Sequence, residues 1–211
     1  MKRFLWLLII TIFFTTGFNL LLQPENPKKY EKLESNSKET LTLAKMDVAD
    51  KDIGKQVKEN DELEDGVSGM VSIPSLDINL AIIEGSTKEN LYKGATTLKD
   101  HQRMGEGNYS LAGHHMKDES LFFGRLEEIK YGAKVLLTDK ETIYIYQINN
   151  KKTVHETQID ILNDHPNKTE LTLITCDRPT STEYRTVVTG NLVKEIKYSD
   201  ETWKERTQSK K

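Results

Sequence analysis

Residues 169–188 read TELTLITCDRPTSTEYRTVV and contain the only cysteine of the chain. Two runs rich in β-branched and aliphatic residues flank a polar loop, Asp177 to Tyr184, that includes Pro179. Such a pattern predicts two strands joined by a turn segment. With a period of two, Thr172, Ile174 and Cys176 share one face of the first strand and Leu171, Leu173 and Thr175 the other. Cys176 then ends its strand, and Arg185 opens the next. Sequential strands are often antiparallel neighbours, which brings these two side chains together.

The same grammar extends on both sides. GMVSIP, DINLAIIEG, NYSLAG, AKVLLTD and TIYIYQI precede the quoted stretch, and RTVVTGNLVKEI completes it. Helix is expected in only two places: a capping-box pattern at Ser86-Thr-Lys-Glu89 that Gly94 closes, and one or two turns within SLFFGRLEEI. Seven or eight short strands between residues 67 and 198 suit one all-β domain, a barrel or a sandwich with a single core.

The flanks read differently. An uncharged, mostly apolar run from Phe4 to Leu22 follows Lys2 and Arg3. Its nineteen residues at about 1.5 Å each span roughly 28 Å, close to the ~30 Å hydrocarbon core of a bilayer. Residues 1–22 are expected to form an uncleaved transmembrane anchor, with a cleaved signal peptide as the alternative. Lys28, Lys29 and Lys32 beyond the span offset Lys2 and Arg3, so charge alone sets no orientation. Residues 23–66 are polar and poor in aromatics and read as a stalk, reaching on the order of 40 Å as flexible coil. Within it, Leu41, Leu43, Met46, Val48, Ile53 and Val57 are loosely spaced like one helical face. Residues 199–211 read as a polar tail with no second apolar span.

Thirty Lys plus Arg against 33 Asp plus Glu give a formal charge of −3, with no basic tract suited to nucleic acid. One cysteine cannot form an intramolecular disulfide, and no paired Cys/His spacing marks a zinc site.

Chemistry therefore has few candidates. A cation beside Cys176 would lower the thiol pKa from its usual ~8.5, and Arg185 stays charged while offering a planar fork to an oxyanion or a substrate carbonyl. NYSLAGHHM puts His114 and His115 at the end of another strand, where an imidazole can carry a proton. Adjacent residues of a strand point to opposite faces, so one of the two enters any given site. The plain alternatives are an inert core cysteine, a solvated arginine and structural histidines. His101, His155 and His165 lie in polar segments and read as surface residues. Composition leaves the role of Cys176 open.

The ordered set LAGH at 111–114, TLITC at 172–176 and Arg185 a short loop later, behind an apolar leader, resembles the sortase family. These are membrane-anchored cysteine transpeptidases of Gram-positive bacteria. The similarity runs from about residue 68 to 196 and includes IPSLDINLAIIEGS. It implies a closed β-barrel of about eight strands with one or two short helices. By position, His114 resembles the family's catalytic histidine, Cys176 its nucleophile and Arg185 its substrate- and oxyanion-stabilising arginine, while His115 matches no catalytic position. Ala112, Ile159, Leu162, Thr172 and Ile174 resemble the lining of a Leu-Pro pocket.

The resemblance further implies substrates that are surface-protein precursors with a C-terminal Leu-Pro-x-Thr-Gly-like sorting signal. Cleavage between Thr and Gly leaves a thioester on the cysteine, which an amine of lipid II or the peptidoglycan cross-bridge resolves. A single-pass protein of the cell membrane with an extracellular catalytic domain follows. A lid motif and a second span are missing, which points to the class A, housekeeping type. Some class A members hold calcium with acidic residues; here Lys99 and Gln102 stand where acids are expected, leaving Glu106 and Asp164. A hard dication needs several oxygen ligands, so no metal and no cofactor is expected. Rival readings are a secreted cysteine peptidase and a non-catalytic surface-anchored β-domain.

Overall fold

A computed structural model describes residues 66–208. The expected anchor, the stalk up to residue 65 and the last three residues of the tail lie outside the described residues. Among the described residues, eight strands close a barrel in the order β1-β2-β3-β4-β7-β8-β6-β5. They are β1 (Val67–Ile73), β2 (Ile78–Ile83), β3 (Ala95–Thr97), β4 (Asn108–Ala112), β5 (Lys134–Thr138), β6 (Thr142–His155), β7 (Glu170–Cys176) and β8 (Tyr184–Lys197). β2 pairs with β3 and β4 with β7 in parallel. The other neighbours are antiparallel, including the β1–β5 pair that closes the ring.

The alternation in the sequence becomes two layers of packing. Leu171 and Leu173 of β7 point into the barrel, where they join Val71, Ile73, Leu111, Leu137 and Tyr146. Ile174 instead packs outside, against Ala112, Leu162 and Val187. Both faces of β7 are covered, which is why its sequence is a nearly unbroken apolar and threonine run.

Two elements depart from expectation. β3 has only three residues and was too short to register as an alternating run. The first helix, α1 (Lys88–Leu91), is capped by Thr87, whose hydroxyl accepts from Asn90 N at 3.2 Å; Ser86 turns instead to Thr96, Oγ to Oγ1 at 2.7 Å. Within SLFFGRLEEI, a single 3-10 turn forms at Leu126–Glu128.

The polar tail also folds. Helix α2 (Asp200–Thr207) starts at Ser199, whose hydroxyl accepts from Thr202 N, with Asp200 and Glu201 in the first turn. Trp203, 2 % exposed, anchors it against Met70, Leu136, Ile143 and Ile145 on the outer barrel face, and Thr207 is buried at its end. One apolar residue in DETWKERT gives no periodicity to read. Because that ring carries the docking, Trp203→Ala should lower the unfolding free energy by about 3–5 kcal/mol in guanidinium titrations. A loss under about 1 kcal/mol would mean that the helix rests on the barrel without stabilising it.

Candidate active site

β7 and β8 are registered so that Cys176 lies directly across from Arg185. Cys176 is buried, 8 % exposed, and the arginine is entirely so. An unpaired guanidinium at such a depth would cost several kcal/mol, and its neighbourhood shows how that cost is offset. Nη2 donates to Glu156 Oε2 at 2.8 Å, and Nη1 donates to the carbonyls of Thr182 at 3.0 Å and Tyr184 at 2.9 Å. Glu156 follows β6 immediately, and its own N–H donates to the Glu183 carbonyl at 2.7 Å.

On the other side of β7, the parallel ladder to β4 runs from Asn108↔Glu170 to Ala112↔Ile174 and continues for one more bond, Gly113 N to the Ile174 carbonyl at 3.0 Å. Gly113 is required here: a Cβ would come within 2.6 Å of the Phe123 ring. The next rung would join a backbone N–H to the Cys176 carbonyl. Instead the chain leaves the sheet at His114, and His115 supplies Nδ1 to that carbonyl at 2.8 Å. A carbonyl only accepts, so His115 carries its proton on Nδ1. Both histidines therefore sit at the nucleophile's end of the barrel, in different capacities.

His114 is buried between the rings of Tyr92 and Phe122, with centroids at 5.2 and 6.0 Å. Its Nε2 has no hydrogen-bond partner among the described residues. A buried ring nitrogen without a partner is costly in a purely structural residue and useful in one that exchanges a proton with a bound molecule.

Four of the five residues matched to the Leu-Pro pocket meet in one place. Ala112, Leu162 and Ile174 are buried in a single apolar cluster, and the partly buried Ile159 packs on it. Ile159 and Leu162 bound a 3-10 turn in the β6–β7 loop. Thr172 stands below, its hydroxyl donating to Asn108 Oδ1 at 2.7 Å. Asn108 Nδ2 in turn donates to the carbonyls of Ile161 and Asn163, tying the loop to β4. Thr172 thus acts through Asn108 on the loop, a connection that alternation alone does not reveal.

At the edge of this loop, Asp164 Oδ1 accepts from Lys99 Nζ at 2.7 Å and from Asn108 N at 2.7 Å. Lys99 and Asp164 thus form an ion pair at this edge. His101 and His165 are exposed, and His165 pairs with Glu170. His155 is half-buried, with Tyr184 edge-on to its ring at 5.6 Å. Sequence reasoning missed Glu156, Thr182, Tyr92 and Phe122. No periodic signal marks them, because each acts from a loop or a strand end.

A model of the sortase domain family matches residues 71–193. Sortase A of Listeria monocytogenes serovar 1/2a is 45% identical over 137 residues, which cover 65% of this chain and 61% of that protein. Sortase A of Bacillus anthracis is 34% identical over 171 residues, covering 81% of this chain and 80% of the relative. The crystal structure of Listeria monocytogenes sortase A superposes with a TM-score of 0.66 at 43% identity, covering 69% of this chain and all of that one. A closed barrel with a cysteine at the end of one strand and an arginine at the start of the next defines a class of cysteine-bearing β-barrel proteins. Within it, the chain belongs to the sortase family, beside its class A members.

Burial acts on both titratable groups of the site. Burial pushes the Cys176 thiol up; Arg185 pulls it down and is outweighed, with Asp177 and Glu156 adding to the upward push. Burial also holds the His114 imidazole below its ordinary value. Alkylation of Cys176 should therefore rise with pH through a midpoint above the ~8.5 of a free thiol. Rates of iodoacetamide labelling across pH 6–10 measure it, and a midpoint below about 7.5 would contradict this balance.

Proposed function

We propose that this chain is a cysteine transpeptidase that cleaves a Leu-Pro-x-Thr-Gly-type sorting signal between Thr and Gly and transfers the new carboxyl end to an amine of a cell-wall precursor such as lipid II. The observation that carries this reading is the cross-strand pair Cys176–Arg185, with buried His114 just past the end of the neighbouring strand β4 and its Nε2 without a hydrogen-bond partner among the described residues. The apolar cluster of Ala112, Leu162 and Ile174, with Ile159 at its edge, lies at the same strand end and suits a Leu-Pro dipeptide.

On substrate binding, a proton passes from the Cys176 thiol to His114, and the thiolate sulfur attacks the Thr carbonyl carbon. Arg185 stabilises the oxyanion or the substrate backbone. The C–N bond to Gly breaks, and the His114 imidazolium gives its proton to the leaving amine. An acceptor amine then attacks the thioester, the C–S bond breaks, and His114 takes the surplus proton and returns it to the Cys176 sulfur. The thiolate and imidazolium titrate as one coupled pair.

Calcium has no part in these steps; the Lys99–Asp164 ion pair supports that reading. The apolar segment 1–22 would hold the domain at the outer face of the cell membrane.

Mass spectrometry of the full-length chain with a Leu-Pro-x-Thr-Gly peptide and a small amine tests the reading. Expected are release of the Gly-containing fragment, an acyl adduct on Cys176, and a new amide to the added amine. Cys176→Ala should lose all three. An adduct that persists in that variant would refute the nucleophile. Free acid alone, with no amide at any amine concentration, would favour a hydrolytic peptidase.

A further inference from the structure

Arg185 is asked to face a substrate, yet its guanidinium is fully buried and held from behind. Glu156, 12 % exposed at its side chain, faces Nη2 at 2.8 Å, while the Thr182 and Tyr184 carbonyls take Nη1. The Glu156 backbone is itself fixed, since its N–H bonds the carbonyl of Glu183, the residue before β8, just beyond the Val154↔Arg185 and His155↔Tyr184 pairs of the β6–β8 ladder. Three strands thus converge: β6 delivers Glu156, β8 delivers Arg185 and β7 delivers Cys176.

We propose that Glu156 is a positioning residue for Arg185 in acyl transfer, holding the guanidinium at the end of β8 and setting how much of its positive charge the Cys176 sulfur feels. The catalytic part of this proposal rests on the transpeptidase reading; the electrostatic part does not. A negative charge on the guanidinium trades thiolate fraction for placement. Arg185 alone favours ionisation of the sulfur, and Glu156 opposes it from the same side. Other charged or titratable groups at this end are Asp177, which follows the cysteine and feels both Arg178 and Arg185, His115 on the Cys176 carbonyl, and His114 beyond β4. Glu156 is the carboxylate that meets Nη2 directly, at 2.8 Å.

The test uses the full-length chain with Glu156→Gln, which keeps shape and a carbonyl acceptor but removes the charge, and Glu156→Asp, which keeps the charge but retracts it. Cys176 is the only thiol, so labelling is unambiguous. In Glu156→Gln the alkylation profile should move to lower pH by about half a unit, roughly threefold faster labelling at pH 7. Its kcat/KM for peptide–amine transfer should nevertheless fall at least tenfold, carried mainly by kcat. Glu156→Asp should fall between it and the native chain on both readouts, and it carries the test if the glutamine variant does not fold.

A contribution to folding alone would lower the melting temperature and leave the alkylation profile in place. An unmoved profile in either folded variant overturns the proposal. If the profile moves but no protein, the native one included, turns over the peptide, the charge relation stands and the transpeptidase reading fails.

Discussion

The site depends on one register: Cys176 opposite Arg185 at the open end of the β7–β8 pair. Slipping either strand by one residue would turn every side chain to the other face, sending Cys176 or Arg185 into the layer filled by Leu171 and Leu173. That layer therefore fixes the register, since five pairs from Leu171↔Gly190 to Thr175↔Thr186 lie buried or nearly so between two covered faces. Hydrophobic burial along the strand thereby places a guanidinium beside a sulfur to within the tolerance of a β-ladder.

The other side of the cysteine is governed by where a ladder stops. Had β4 continued pairing with β7, the Cys176 carbonyl would be met by backbone and no side chain from β4 could reach the nucleophile's end. The chain departs after Gly113, whose missing Cβ lets Phe123 close in. His114 is then free to lie between Tyr92 and Phe122, and the His115 ring restores the lost rung. The adjacent histidines both lie where the ladder ends, one buried between two rings and the other bonded to the Cys176 backbone.

How much of this was legible in the sequence follows from the range of each interaction. The alternation in TELTLITC and RTVVTGNLVKEI is local, and from it come β7, β8, the two faces of β7 and the Cys176–Arg185 neighbourhood. The barrel's closure by β1 and β5 joins residues some 65 positions apart, Ser72 with Leu136 for example, and no local pattern encodes it. α2 was hidden because a single tryptophan docks it, and β3 because three residues show no period. Glu156 reads as a solvated charge in HETQID; only the return of β8 past β6 makes it the counter-ion of a buried arginine. Likewise Thr172 falls on the expected face, but its contact is with Asn108, sixty-four residues earlier.

The central claim is that the cross-strand guanidinium acts electrostatically on the sulfur. Carbon-13 NMR titration of the Cys176 Cβ measures this directly in Glu156→Gln and in the double variant Glu156→Gln/Arg185→Met, a comparison that removes the guanidinium without stranding the Glu156 carboxylate. With the guanidinium gone, the ionisation midpoint should rise by about one pH unit, as expected for removing an opposite charge a few ångströms away. Coincident midpoints in the two proteins would contradict the account.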